Sequence, residues 1–152
     1  VNDGKLTDIN PQNFTSDKQR DLYDYWLKIK KDHLMPSRKD FNPVDIPHIL
    51  SSIWMADVIP GDEPTFSIRL LGTDVVEAFG VEATKQPLHE VEFSAGIVQR
   101  FRELIKVKQP YYYQGRFPVE SEDYKYYSSI TLPMSGDDEH VDIILSSVHC
   151  FN

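Results

Sequence analysis

Three prolines, Pro36, Pro43 and Pro47, fall in the single stretch from Leu34 to Pro47. Each lacks a backbone N–H and fixes φ, so this stretch can be neither a long helix nor a central strand. It divides the chain into a helical N-terminal third and an α+β body. Asn42 before Pro43, and Asp45 before Ile46-Pro47, predict the N-caps of two short helical turns that end near Leu50. Residues 1–50 therefore read as a helical cap with a proline-rich connector, and residues 51–152 as the core. Together they make one structural domain, as a length of 152 residues allows.

Before the connector, Ser16-Asp17-Lys18-Gln19 has the form of a capping box, Ser16 as N-cap and Gln19 at the third helical position. Leu22, Tyr25, Trp26 and Ile29 follow at helical spacing, predicting a helix to about Asp32 with a broad apolar stripe. After the connector, Ile53 to Ile59 and Thr65 to Gly72 flank the turn Pro60–Pro64 and predict a hairpin. Its simplest register puts Trp54, Ala56 and Val58 on one face with Phe66, Ile68 and Leu70. Asp57 and Arg69 fall on the other face, where they are expected to form an ion pair beneath the N-terminal helix. Arg38 is expected to pair with Asp40 or Asp45.

Asp74 predicts the cap of a short helix that ends at Gly80. Ser94 starts a longer helix, with Ile97, Val98, Phe101, Leu104 and Ile105 on one stripe and Gln99, Arg100 and Arg102 among the polar positions. Pro110 ends it. Tyr111 to Val119, Tyr124 to Met134 and Val141 to Phe151 are aromatic and β-branched runs, hence three strands. Two strands, helices, then three strands is an order that several α+β sheets share.

The motifs narrow this. Tyr25-Trp26, Pro36-x-Arg38-x-Asp40-Phe41-x-Pro43-x-Asp45-Ile46-Pro47-x-x-Leu50, Asp57-Val58, Phe66-x-x-Arg69-Leu70-x-Gly72-Thr73 and Leu132-Pro133 with Gly136 resemble a known family. It is the small single-domain bacterial PAS-fold family (PAS class 5), of alphaproteobacterial type, over roughly residues 20–150. The resemblance implies a five-stranded antiparallel sheet with helices on one face and an N-terminal helical cap on the other. It also implies a sensor or adaptor in signalling, and it implies no particular ligand.

A net charge of −8 argues against nucleic acid, which is bound through clustered Lys and Arg. The absence of any long apolar run predicts no membrane insertion. With no visible export signal and the single Cys150, a cytoplasmic location is expected. The sequence contains no HExxH, GxGxxG, P-loop or GxSxG motif, so neither an enzyme nor a metal site is expected. No cofactor is predicted. His89, near where haem-binding PAS domains carry a ligand, is read as an exposed loop residue, and nothing supports a non-covalent flavin.

Two functions remain open. A sensor would hold a small hydrophobic or aromatic ligand between helix and sheet, among Trp54, Phe66, Ile97, Phe101, Ile105 and Ile130. The same side chains would serve equally well as a solid core. A ligand-free interaction module would instead use Leu22, Tyr25, Trp26 and Ile29 to form a homodimer or dock a signalling partner.

Overall fold

The computed structural model describes residues 4–152. Its strands are β1 (Lys5–Thr7), β2 (Ile53–Ile59), β3 (Thr65–Leu71), β4 (Tyr111–Arg116), β5 (Tyr126–Met134) and β6 (Ile143–Phe151). They form one antiparallel sheet in the order β1-β4-β5-β6-β2-β3. The five expected strands make its body. The sixth, β1, pairs along β4 and was not anticipated, because three residues are too few to show an alternating pattern.

Three α-helices accompany the sheet: α1 (Asp17–Lys30), α2 (Thr73–Phe79) and α3 (Ala95–Val107). Helix α1 starts at Ser16, whose side chain accepts from the Lys18 amide at 3.2 Å, and ends two residues earlier than expected, where Lys31 turns to φ +51°. Gln19 does not close the capping box. It is fully buried and points into the sheet instead.

The connector winds through 3-10 turns at Arg38–Asp40, Pro43–Asp45 and Pro47–Ser52. Asn42 caps the second, accepting from the Val44 amide at 3.1 Å. Asp45 caps nothing; its carboxylate accepts from the Tyr25 hydroxyl at 3.1 Å. Arg38 donates to the Phe41 carbonyl at 3.1 Å and lies over that ring, so it fastens the turn without the expected carboxylate partner.

Alternation along the strands assigns the two faces. Helix α1 covers Tyr112, Ser128, Ile130, Leu132, Leu145 and Ser147, and α3 covers Trp54, Tyr111, Tyr127, Thr131 and Ser146. A β-bulge between Met55 and Ala56 shifts the hairpin register. As a result Leu71 joins Trp54 on the α3 face, and Leu70, expected there, is 43% exposed.

Gly72 links β3 to α2 by pressing on the end of the connector. A Cβ at this position would lie 2.3 Å from the Ser51 carbonyl oxygen and 2.7 Å from those of Leu50 and Ile53. The contact lets the Gly72 amide donate to the Ile53 carbonyl at 2.7 Å. Gly80 ends α2 at φ +70°, as its position in the sequence predicts.

Candidate ligand cavity

Between α3 and the sheet the apolar stripe does not fill all the space, and a cavity of about 70 Å³ remains. Trp54, Ile68 and Leu71 form its floor, with Ile97, Arg100 and Phe101 of α3 as the roof. Helix α2 supplies Val75 and Phe79, and the segment leading to α3 supplies Leu88, Val91 and Phe93. Aromatic packing shapes the walls: Phe101 stacks on Trp54 with centroids 5.4 Å apart and takes the edge of Phe66 at 5.3 Å. Phe79 meets Phe93 at 5.6 Å and Tyr127 at 5.9 Å.

The lining is overwhelmingly apolar, with a few hydroxyl-bearing residues along one sheet-facing side. Ser129 and Thr131 of β5 and Ser146 of β6 line it, the last two with hydroxyls 3.1 Å apart. Tyr111 and Tyr127 complete that side. Burial pushes the Tyr127 phenol up to about 12, an effect the neighbouring Arg100 charge only partly offsets. The Tyr111 phenol is raised for the same reason. Both are neutral hydrogen-bonding groups at physiological pH.

Arg100 is the one charged side chain among the buried described residues, 8% exposed. One terminal nitrogen, Nη2, donates to the Tyr127 hydroxyl at 3.1 Å, and Cζ lies 3.6 Å above the Tyr113 ring centroid. Its Nε has no partner.

On the opposite face, α1 is anchored by a closed polar cluster. Gln19 Nε2 donates to the Ser128 and Ser147 carbonyls, each at 3.2 Å, and Oε1 accepts from the Tyr112 hydroxyl at 3.1 Å. Thr15 Oγ1 joins Ser128 Oγ at 2.6 Å and His149 Nδ1 at 2.7 Å. Trp26 Nε1 donates to the Pro133 carbonyl at 2.9 Å.

A sequence profile described as PAS domain matches residues 14–108, which take in α1, the connector, the hairpin, α2 and α3. This chain belongs to the PAS-domain family. Among solved structures, two forms of the PAS domain of the histidine kinase ThkA are similar. The selenomethionine double mutant is 11% identical, with TM-score 0.46 over 64% of this chain and 98% of that one. The other form is 12% identical, with TM-score 0.45 over 63% and 97%. Comparison with curated proteins finds no match.

Within this PAS domain, the residues expected around a ligand divide into three groups. Trp54, Ile97 and Phe101 line the cavity. Phe66 lies behind Phe101, and Ile105 packs on the core a turn further along α3, so neither reaches the lining. Ile130 is on the wrong face: it pairs with Tyr112 and Ser147 beneath α1, and its neighbours Ser129 and Thr131 occupy the cavity side.

Leu22, Tyr25 and Trp26, the expected dimer surface, are buried against the domain's own sheet, and Ile29 packs beside them. The aromatic stripe that suggested a partner is used up within the chain. Asp57 and Arg69 do pair, at 2.9 Å, but with side chains 39% and 44% exposed the pair lies in solvent and not beneath α1. His89 is exposed on the turn Leu88–Glu90, and Leu88 is the residue of that turn that enters the cavity. Cys150 is half-buried, and desolvation pushes its thiol up to about 11.

The sequence reading missed Arg100, Tyr111, Tyr127 and Gln19. A signal for Arg100 existed. It lies three residues after Ile97 and four before Leu104, inside the apolar arc of α3, where a charge is out of place.

Proposed function

We propose that this PAS domain is a non-catalytic sensor module in a signalling pathway, and that it takes a small, largely apolar ligand into the cavity between α3 and the sheet. The observation that carries this reading is the cavity itself, an apolar space that the core side chains leave between α3 and the sheet. Its size favours a compact ligand. At about 70 Å³ it is far smaller than the ~300–1,000 Å³ of sites for drug-sized molecules. The described lining contains no carboxylate and no imidazole, the groups that would serve as a general base near neutral pH.

Signalling from such a site requires that the ligand favour one of two conformations, with a coupling of about 1–3 kcal/mol. Helix α1 is the moving part in this reading. It lies across the sheet and holds it through side chains, with no shared backbone ladder.

A ligand-free interaction module is the second reading. It is favoured by β3, an edge strand beside which Ile59 and Leu70 are 49% and 43% exposed. A homodimer in this reading would use that edge, because the α1 stripe is occupied.

Native mass spectrometry of protein purified from its own host separates the two. The sensor reading expects a reproducible non-covalent adduct that disappears on denaturation. An adduct-free spectrum dominated by dimer would overturn it in favour of the edge-strand interface.

A further inference from the structure

Among the described residues, Arg100 stands at the hydroxyl-lined side of the cavity as a charge with no counter-charge. Arg100 is permanently protonated and presents five N–H donors in a planar fork. Here that fork has two neutral phenols, Tyr127 and Tyr111, the face of the Tyr113 ring and an Nε with nothing to donate to. No Asp or Glu lines the cavity, and no ion pair involves Arg100 among the described residues. Burying a guanidinium without an anion is unfavourable unless the missing charge arrives from elsewhere.

The surrounding groups suit an anion. Tyr127 accepts from Arg100, which leaves its own O–H free to donate. Tyr111 interacts with both Arg100 and Thr131, and the Thr131 and Ser146 hydroxyls continue the same polar line. Beyond them the lining is apolar: Phe79, Leu88, Val91 and Phe93.

We infer that the cavity takes a small monocarboxylate, its carboxylate on Arg100 and Tyr127 and its short apolar tail toward Phe79 and Phe93. Three features select this class. One buried cation balances one negative charge, so a phosphate dianion would leave net charge in the core. The guanidinium fork matches the planar carboxylate geometry. A volume of about 70 Å³ is roughly half the ~150 Å³ that holds a benzene, which limits the ligand to a few heavy atoms unless α2 moves. This inference rests on the sensor reading and specifies the chemistry of its ligand.

The test compares acids with their amides, which have the same shape and no charge. Thermal melts in chloride-free buffer at pH 7.5 would be run with propionate against propionamide, and with benzoate against benzamide. Parallel melts would use Arg100→Met and Arg100→Lys. Propionate should raise the melting temperature with a half-saturating concentration at least tenfold below that of propionamide. Arg100→Met should melt at or above the ligand-free wild type and lose the propionate response, and Arg100→Lys should retain only part of it, having lost the fork.

Equal responses to acid and amide would overturn the carboxylate assignment and leave the sensor reading intact. No response to any of the four compounds, together with an adduct-free native spectrum, would overturn both. An Arg100-dependent response to chloride equal to that to propionate would reduce the site to a halide site and overturn the inference. If Arg100→Met does not fold, the contrast between propionate and propionamide on the wild type decides by itself.

Discussion

Beneath α1, Gln19 is fully enclosed and both ends of its amide have partners; beneath α3, Arg100 is almost as deeply enclosed and its Nε has none. The two residues sit at similar depths on opposite faces of one sheet, and both interrupt apolar helix stripes. The difference between them is stoichiometric. Ser128, Ser147 and Tyr112 satisfy the Gln19 amide from within the chain, and Thr15 in turn bonds Ser128 and Tyr112, so that face needs nothing further. Among the described residues, the α3 face brings hydroxyls and rings to a cation and no anion. A satisfied polar cluster fastens a helix, and an unsatisfied one leaves room for a guest.

That contrast is exposed to direct attack. Gln19→Leu keeps the approximate volume and takes one partner from each of the Tyr112 and Ser128 hydroxyls and from two sheet carbonyls, leaving the hydroxyls only Thr15. It should cost about 2–3 kcal/mol in urea unfolding, whereas Arg100→Met is expected to cost nothing. If Gln19→Leu is neutral and Arg100→Met is strongly destabilising, the roles given to the two faces are reversed.

A smaller effect tests the third polar pair of the sheet. Asp57 and Arg69 lie in solvent, so Arg69→Ala should lower stability by less than about 1 kcal/mol, and added salt should shrink the loss further. A loss of several kcal/mol would mean that the hairpin depends on this pair as a buried one would.

The smallest effect is on pH response. His149, bonded to Thr15 at the rim of the Gln19 cluster, has its pKa lowered by desolvation and by the Lys18 charge. Its folded value lies below the unfolded 6.5, so the unfolded chain takes up the proton first. The stability it contributes is complete above about 6.5 and is lost as pH falls toward the folded value. His140, on the exposed turn beside Asp137, is raised by that carboxylate. Its contribution is present below 6.5 and is lost as pH rises through the folded value. Ring-proton NMR titration should therefore place the His149 midpoint below 6.5 and the His140 midpoint above it. The opposite order would remove His149 from the cluster.

Much of the fold was legible because it rests on local rules. Pro36, Pro43 and Pro47 forbade alternatives, and the 3.6-residue stripes of α1 and α3 and the aromatic runs of β4 to β6 announced their elements. The site was less legible because it depends on register and on partners distant in sequence. The bulge at Met55/Ala56 exchanges Leu70 for Leu71, and no residue type in that run marks it. The choice of Ile130 over Ser129 and Thr131 followed apolarity, yet here the serine and threonine line the cavity and the isoleucine fills the other face. Tyr25 and Trp26 looked like a surface for a partner, because a sequence does not show that the sheet will cover them.

Gly72 has a consequence in evolutionary terms. Any side chain at this position would begin with a Cβ 2.3 Å from one carbonyl oxygen and 2.7 Å from two others, all of them backbone, none able to rotate away. Drift at position 72 is therefore closed to all nineteen other residues, however small, while the exposed positions around it remain free to vary. A lineage could rebuild the cavity walls on either side for a new guest and still leave this glycine as the fixed point by which its descendants are recognised.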